Sequence, residues 1–483
     1  MTAIALALLI VPALAGIAAL WLPSKATGPV SVCIGIASFC LVLALIPTLS
    51  KHDVTAFGFI RIDALSVVFL LATSFLYACV SLYSIGYLHK DGDNRRFWIG
   101  LNLFAWSMLA APLMGNLALL WVAIEITTII SALLVALEGT DGAAEAAWKY
   151  VLLASAGLAI ALLGTTFAYY AGEHVLGQSY NLAFAPLLSA APHLPPTIIR
   201  LAFVLAVLGY GTKVGLFPVH TWLPDAHSEA PTPVSALLSG SLLAVSFYAI
   251  LRFYQIAAAS LGPQFPRNVL LAFGIGSLLL AALYVLDQRD YKRLLAYSSV
   301  EHMGILAIGV SFGVPIALAG VLLHVLAHAA AKGNAFMGAG VLVRKYGTKQ
   351  IDSITGGIDL LPWSGPLFMI AILALCALPP FGIFRSEFEI VAGGLSAAHD
   401  AVAAVFVILV TVAFLGLSLS ANRMLLSQPR AAGETVPERG EPSAWMVVPV
   451  VAGVVALLVL GLHPPGELTG LLARAVSTLQ GQA

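Results

Sequence analysis

The chain is divided into fourteen apolar stretches, each about as long as a helix that crosses a membrane. Crossing the hydrocarbon core of a bilayer takes about 20 apolar residues of α-helix. With 60% hydrophobic and only 10% charged residues, the chain is not a soluble globular protein. We therefore predict an all-α polytopic membrane protein of about fourteen transmembrane helices. The predicted helices span 3–22, 28–49, 62–84, 97–114, 117–138, 143–171, 197–226, 232–254, 267–286, 292–312, 315–343, 362–395, 400–426 and 443–462.

Two of the predicted helices are interrupted. Helix seven meets Gly215, Pro218 and Pro224, and helix twelve contains the run LPPFG at 378–382. Backbone groups freed inside a bilayer find no water, so a break survives only where protein or a water-filled cavity satisfies them. The two helices are five apart and run in opposite directions, which predicts two inverted repeats with a transport path near the membrane midplane.

This reading divides the chain into four segments. Residues 1–96 form helices one to three, 97–254 the first five-helix repeat, and 255–426 the second. Residues 427–483 hold a loop, helix fourteen and a short tail that we expect to lie at the membrane interface.

The distribution of basic residues predicts the orientation. Lys and Arg are more frequent in cytoplasmic loops, and here they concentrate in alternate short loops. The predicted cytoplasmic residues are Lys25, Lys90, Arg95, Arg96, Arg289, Lys292, Arg293, Arg344, Lys345, Lys349, Arg423, Arg430 and Arg439. We therefore predict a multi-pass protein of the inner (cytoplasmic) membrane with its N-terminus outside. The formal net charge of zero gives no sign of a nucleic-acid partner.

Two ionisable residues fall near the middle of predicted helices in the first repeat. Glu125 has at least eight uncharged residues on either side, and Lys213 precedes the break in helix seven. Charges at this depth are costly, and by default they indicate function. A Glu–Lys couple whose distance can change is able to move a proton, because each charge alters the proton affinity of the other. The alternative is a static ion pair that braces two helices.

The second repeat carries a series of titratable residues. His324, His328 and Lys332 follow one another at i, i+4 spacing and therefore share one helix face. Such a ladder suits proton relay, since histidine changes charge near neutral pH. A metal site and core histidines bonded to carbonyl groups are the alternatives. Glu387 follows the break in helix twelve, where it corresponds to Lys213 in helix seven, and we expect it to be an exit or a second relay group.

Three further residues are candidates for the same path. Lys149 either pairs with Glu145 at a helix end or links Glu125 to Lys213. His220 and His227 lie in a polar run, with Asp225 and Glu229, where the chain turns at the predicted cytoplasmic side. That run is either the entry of the proton path or a set of solvated loop charges. Arg385, Glu389, Glu301 and His302 are weaker candidates.

The sequence offers no redox centre. The four cysteines are Cys33, Cys40, Cys79 and Cys376, and their spacing fits neither an iron–sulfur cluster nor a zinc site. No GxGxxG fingerprint follows a strand. We therefore expect no bound cofactor or metal and no catalysis of redox chemistry by this chain alone.

The run GTKVGLFPVHTWLPDAHSEAPTPVSALLSG resembles the central signature of the proton-conducting antiporter-like subunits. That family includes membrane subunits of respiratory complex I, multisubunit (Mrp-type) sodium/proton antiporters and energy-conserving hydrogenases. The runs EAAWKYVLLASAG, DYKRLLAYSSVEHMG, LLHVLAHAAAKGNAFMGAG and PPFGIFRSEFEI extend the resemblance over helices four to thirteen. They are most similar to the hydrogenase-4 and formate hydrogenlyase branch, in particular to its component F.

The resemblance implies fourteen helices, inverted repeats of five and a hydrated axis across the membrane. It also implies proton-path roles for Glu125, Lys213, His328 and Glu387, while Lys149 and Lys332 match lysines of the hydrogenase branch. One position departs from complex I: Ala244 stands where those subunits carry a lysine in helix eight.

The expected function is proton translocation within a complex I-like, membrane-bound [NiFe]-hydrogenase or NADH-quinone oxidoreductase-like complex. Its expected partners are other membrane subunits and a peripheral redox arm. Two alternatives remain open: an Mrp-type cation/proton antiporter subunit, and a membrane subunit that energises a cytosolic enzyme such as one for vectorial hydration of carbon dioxide.

Overall fold

A computed structural model describes residues 1–88, 92–427 and 438–481. Lys90 and Arg430, which contribute to the predicted orientation, lie outside these ranges. All fourteen predicted helices are found within the described residues, and eleven of them are long and apolar enough to cross a membrane by themselves. The predicted fold class is therefore confirmed. The boundaries of the four segments remain predictions.

The helices follow the predicted order. The first seven are α1 (Thr2–Ala18), α2 (Ser24–Leu43), α3 (Ala64–Tyr87), α4 (Arg95–Ala110), α5 (Leu117–Val135), α6 (Asp141–Leu176) and α7, which is split into α7a (Pro196–Val214) and α7b (Trp222–Glu229). The next seven are α8 (Thr232–Leu261), α9 (Gln264–Val285), α10 (Tyr291–Phe312), α11 (Pro315–Tyr346), α12, which is split into α12a (Ser364–Leu375) and α12b (Gly382–Ser396), α13 (Asp400–Leu426) and α14 (Ala444–Leu462). Short helices occupy Ile46–Leu49, Phe184–Ala190 and Gly357–Leu360.

The helices differ greatly in how much of their surface is covered. The central windows of α8 and α10 are completely buried inside the bundle, and that of α11 is 89% buried. In α13, which lies at the periphery of the bundle, only 28% of the central window is buried. The central parts of these three helices therefore lie in the interior, where side chains face other helices and not hydrocarbon.

Specific contacts hold the backbone at the first break, between α7a and α7b. Lys213 is the next-to-last residue of α7a, and Gly215 caps the helix with φ +82°, a backbone conformation that favours glycine. A Cβ at this glycine would meet the end of the Leu223 side chain, which would then have to shift. Trp222 donates from Nε1 to the Thr212 carbonyl oxygen at 2.7 Å, and the Ser277 hydroxyl accepts from the Phe217 N–H at 2.9 Å. The break is thus held by protein and not by lipid.

The second break lies between α12a and α12b, and helix α14 packs directly against it. A Cβ at Gly461 would lie 2.0 Å from the Pro380 carbonyl oxygen. Both breaks contain a cis prolyl bond, at Phe217–Pro218 and at Pro379–Pro380. The two interrupted helices therefore share their local construction.

Helix α8 has an irregular turn that the sequence analysis did not predict. Residues Leu238–Leu242 form a π-helical turn, in which the hydrogen bonds span five residues. Such turns are rare and often occur at functional sites. This turn lies where α8 meets α3 and α11, at the centre of the bundle.

The predicted outer end carries two elements that the sequence did not reveal. A hairpin pairs β1 (Val54–Ala56) with β2 (Ile60–Ile62), and it leads into a buried ion pair between Asp63 and Arg252 at 2.7 Å. The tail forms a helix, α15 (Gly466–Leu479), which packs on α3 and α11 and not only at the interface. Gln255 anchors it by donating to the Thr478 carbonyl oxygen at 2.7 Å.

Candidate functional site

Lys213 is completely buried at the end of α7a, with hydroxyl groups as its partners. Its Nζ donates to Thr128 Oγ1 at 2.8 Å and to the hydroxyl oxygen of Tyr150, and it lies 4.5 Å from the centre of the Tyr150 ring. Tyr150 in turn shares a hydrogen bond with Ser131 at 2.8 Å. The amine is therefore solvated by hydroxyl groups that can both accept and donate a proton.

Glu125 is half-buried on α5, one helical turn from Thr128. It accepts a hydrogen bond from Ser155 at 2.9 Å, and its other carboxylate oxygen has no partner in the described structure. The carboxylate is not in direct contact with Lys213, because Lys213 donates to Thr128 instead. In this structure Glu125 and Lys213 thus form no direct ion pair, and each is bonded to hydroxyl groups.

Lys149 lies outside this group. Its side chain is 48% exposed and pairs with Glu145 at 2.6 Å and with Asp225 at 3.7 Å. The structure therefore places Lys149 as a helix-end cation, the first of the two alternatives, and not between Glu125 and Lys213. Its neighbour Tyr150 points inward, because successive residues on a helix face directions about 100° apart.

His227 is completely buried between the two halves of the bundle. Its ring lies 6.0 Å from that of Trp222, which itself contacts Tyr150, and 5.8 Å from that of Phe336 on α11. Nδ1 donates to the Leu223 carbonyl oxygen at 2.8 Å, which leaves Nε2 of the neutral ring as an acceptor without a partner. Ring contacts of His227 therefore connect the surroundings of Lys213 with α11.

The polar run around His227 is not solvated as a whole. His220 is only 7% exposed, with an unpartnered Nδ1. Asp225 and Glu229 lie at the surface, where they pair with Arg293 at 2.5 Å and with Lys349 at 2.7 Å. The two acids thus fit the expectation of solvated loop charges, while both histidines turn inward.

Hydroxyl-bearing residues precede Ala244 in α8, the position at which complex I subunits carry a lysine. Ala244 is buried, one turn from the π-helical segment. Within that segment, Ser239 bonds to Ser299 at 2.7 Å and Ser241 bonds to Thr73 at 2.6 Å. Serine carries no charge here, but a hydroxyl can pass a proton along a hydrogen-bonded chain.

Lys332 is a buried cation of the second half. It is completely buried on α11 and donates to the Leu295 carbonyl oxygen at 3.0 Å. Glu301 on α10 is its acidic neighbour and is only 2% exposed. The weaker candidate Glu301 is thus placed inside the bundle, so that Lys332, like Lys213, is a buried lysine near a carboxylate.

Three histidines form a cluster beyond Lys332. His302, His324 and His328 are completely buried, and the His302 ring centre lies 5.1 Å from each of the other two. His302 Nδ1 and His324 Nε2 share a hydrogen bond at 3.1 Å. Both ring nitrogens of His328 lack a partner in the described structure. The rings are therefore close enough to exchange protons directly or through one water molecule.

Glu387 follows the histidines on α12b. The neighbouring Ser386 hydroxyl bonds to His324 Nδ1 at 2.9 Å, and Glu387 is 94% buried with one unpartnered oxygen. Ligand atoms of His302, His324 and Glu387 lie within 4.8 Å of one another, so these three residues could hold a metal ion. The expectation of no metal and no cofactor remains a prediction. Arg385 and Glu389 pair with each other at 3.0 Å nearer the surface.

Several site residues were not found from the sequence. Tyr150, Thr128 and Ser155 were missed because their hydroxyl groups are unremarkable in an apolar helix, and His302 was only a weak candidate. Helical spacing could have identified Thr128, because it is three residues from Glu125 and therefore lies on the same helix face. His302 and His324 lie on different helices, α10 and α11. Residue spacing within a single helix therefore could not predict their contact.

Comparison with known proteins identifies the family of this chain. Residues 114–414 match the family described as NADH:quinone oxidoreductase/Mrp antiporter, TM, and residues 56–98 match the N-terminus of NADH-ubiquinone oxidoreductase (complex I) chain 5. A hydrogenase-4 component F homolog of Methylacidiphilum infernorum is 34% identical over 84% of this chain and 86% of its own length. NADH-quinone oxidoreductase subunit N of Desulforudis audaxviator is 32% identical, over 83% and 81% respectively.

A solved structure supports the same assignment. One chain of respiratory complex I from Thermus thermophilus superimposes with a TM-score of 0.83, at 26% identity, over 99% of both chains. That chain is part of a multi-subunit membrane complex. The chain described here is therefore a polytopic membrane protein that belongs to the family of antiporter-like membrane subunits shared by NADH:quinone oxidoreductases and Mrp antiporters.

Proposed function

We propose that this chain translocates protons as a subunit of a complex I-like, membrane-bound oxidoreductase, most specifically of the hydrogenase-4 type. The redox reaction takes place in a peripheral arm of partner subunits. The relative from Methylacidiphilum infernorum supports the hydrogenase branch, because it is similar over most of both chains. In the predicted orientation, the N-terminus lies on the outer side of the inner membrane.

One observation carries this proposal. Titratable side chains, all buried except the half-buried Glu125, succeed one another across both halves. In order they are Glu125, Lys213, His227, Lys332, Glu301, His328, His302, His324 and Glu387. Buried ionisable groups inside a membrane protein are costly and typically mark a proton or ion route. A structural role would need one ion pair, and not a series of this length.

In this proposal, the pair of Glu125 and Lys213 couples the redox reaction to proton movement. When Glu125 approaches Lys213, the amine is stabilised in its charged form, and when they separate it releases its proton towards the second half. Movement of one proton against ~100 mV needs about 2.3 kcal/mol. Making and breaking a buried ion pair alters the free energy by several kcal/mol, which is sufficient.

The proposed proton route through the centre of the bundle differs from that of a subunit with a lysine in helix eight, because Ala244 takes that position here. Here His227 and the hydroxyl pair of Ser239 and Ser299 lie between Lys213 and Lys332, with the unpartnered His227 Nε2 as an acceptor. Proton transfer through this section needs water, because no direct hydrogen bond joins His227 to either lysine. The entry is proposed at the polar run with His220, and the exit at Glu387.

Purification of the intact complex tests the type of assembly. We expect a tagged form of this chain, extracted in mild detergent, to carry other membrane subunits together with soluble subunits of a [NiFe]-hydrogenase. Recovery with membrane subunits alone, and cation-dependent proton exchange in vesicles, would instead favour an Mrp-type antiporter. A large soluble zinc protein as partner would favour the third class, in which the membrane subunit energises a cytosolic enzyme.

A further inference from the structure

A cavity opens on the lipid-facing side of the second half, between α12b and α13. Its volume is about 310 Å³, and most of its lining is apolar. Four phenylalanines line it: Phe384, Phe388, Phe406 and Phe414. Phe388 is 64% exposed and stacks on Phe384 with ring centres 6.1 Å apart. The cavity is therefore open towards the hydrocarbon around the bundle.

The inner wall of this cavity carries a carboxylate. Glu387 lines it, is 94% buried and makes no side-chain hydrogen bond in the described structure. A buried carboxylate without a donor is unfavourable, and a cation placed against it satisfies it. An apolar lipid chain in the same cavity would leave the carboxylate without a partner.

The aromatic walls favour a particular kind of cation. The face of a phenylalanine ring attracts a positive charge within about 6 Å of its centre, and this attraction is stronger where water is excluded. Organic ammonium groups suit such walls, whereas a hydrated inorganic ion does not. A ligand that arrives from the bilayer must also carry an apolar portion.

We propose that this cavity binds lipophilic organic cations, with the positive group against Glu387 and the apolar portion between the phenylalanines. Binding at this site does not depend on proton translocation by the chain, so the two proposals can fail separately. Ligands of this class occupy the proposed exit of the proton path.

A thiol in the cavity wall allows a direct test. Cys376 lines the cavity, and the other three cysteines, Cys33, Cys40 and Cys79, do not. Replacing those three by serine in the full chain leaves Cys376 as its single thiol. The chain is placed in lipid nanodiscs and treated with a small neutral methanethiosulfonate, and labelling is followed by mass spectrometry. The probe is 4-phenylbutyl-trimethylammonium, compared with the uncharged isostere in which carbon replaces the quaternary nitrogen.

We expect the ammonium probe to slow labelling of Cys376 in a saturable way, and the isostere to have no such effect at equal concentration in the membrane. Glu387→Gln should raise the half-protecting concentration at least about tenfold, equivalent to about 1.4 kcal/mol. Glu389→Gln, the matched control, should leave it unchanged, because Glu389 pairs with Arg385 outside the cavity. Phe388→Ala should weaken protection too, and because Phe388 is 64% exposed its removal leaves the folded core intact.

Equal protection by the isostere would overturn the proposal, since the cavity would then be a site for apolar chains. Absence of saturable protection would overturn it as well. Unchanged protection in both Glu387→Gln and Phe388→Ala would show that the charge and the aromatic wall do not recognise the probe.

Discussion

Replacing Lys213 by arginine is expected to abolish coupled proton movement while the complex still assembles. Arginine keeps the positive charge but does not release its proton in proteins, whereas lysine can. A static ion pair with Glu125 would tolerate this change. A relay would not, so the two roles that the sequence leaves open predict opposite results.

The measurement is proton uptake by inverted membrane vesicles, followed with a pH-sensitive dye, together with electron transfer to an artificial acceptor. We expect Lys213→Arg, Lys213→Ala and Glu125→Gln to reduce uptake to background and to leave electron transfer intact. Lys149→Gln is the matched control, because Lys149 is a half-exposed cation paired with Glu145. Normal uptake in Lys213→Arg would contradict a relay role for this lysine.

The histidine cluster provides the second large effect. We expect His302→Gln and His324→Gln each to lower proton translocation by about 10²-fold or more, because a positioned proton donor or acceptor typically contributes that much. The two rings share a hydrogen bond and act in series. The double variant should therefore be no slower than the slower single variant, since residues that act as a unit are not additive.

His399→Gln is the control for this pair. His399 is exposed between α12b and α13, where it stacks on Phe312. Initial rates of dye response, normalised to the amount of assembled complex, give the comparison. Additive losses in the double variant would mean that the two histidines act on separate routes, and full activity in either single variant would remove that residue from the path.

The helices could be predicted from the sequence because the bilayer demands long apolar runs, and all fourteen lie where hydropathy places them. The two breaks were also predictable, since the prolines at 218 and in the run LPPFG cannot continue a helix. The hairpin at Val54–Ile62 could not be predicted, because its strands have only three residues each. The π-helical turn in α8 depends on packing with three other helices, which no local pattern records.

The site was predictable to a smaller extent. Glu125, Lys213 and Lys332 stand out because charges are rare in apolar helices, and all three lie inside the bundle or at its edge. Lys149 stands out for the same reason, yet it faces outward while Tyr150 faces inward. Choosing between neighbours on a helix requires knowledge of which face is covered, and α6 has a weak contrast between its faces.

The central claim is that water joins the titratable side chains from Glu125 to Glu387, above all between Lys213 and Lys332. The direct measurement is a cryo-electron microscopy map of the assembled complex in lipid, at a resolution that shows ordered water. We predict water molecules at His227 Nε2 that continue towards Lys213 on one side and Lys332 on the other. A dry, apolar section around His227 and Ser239, both at rest and during turnover, would contradict the account.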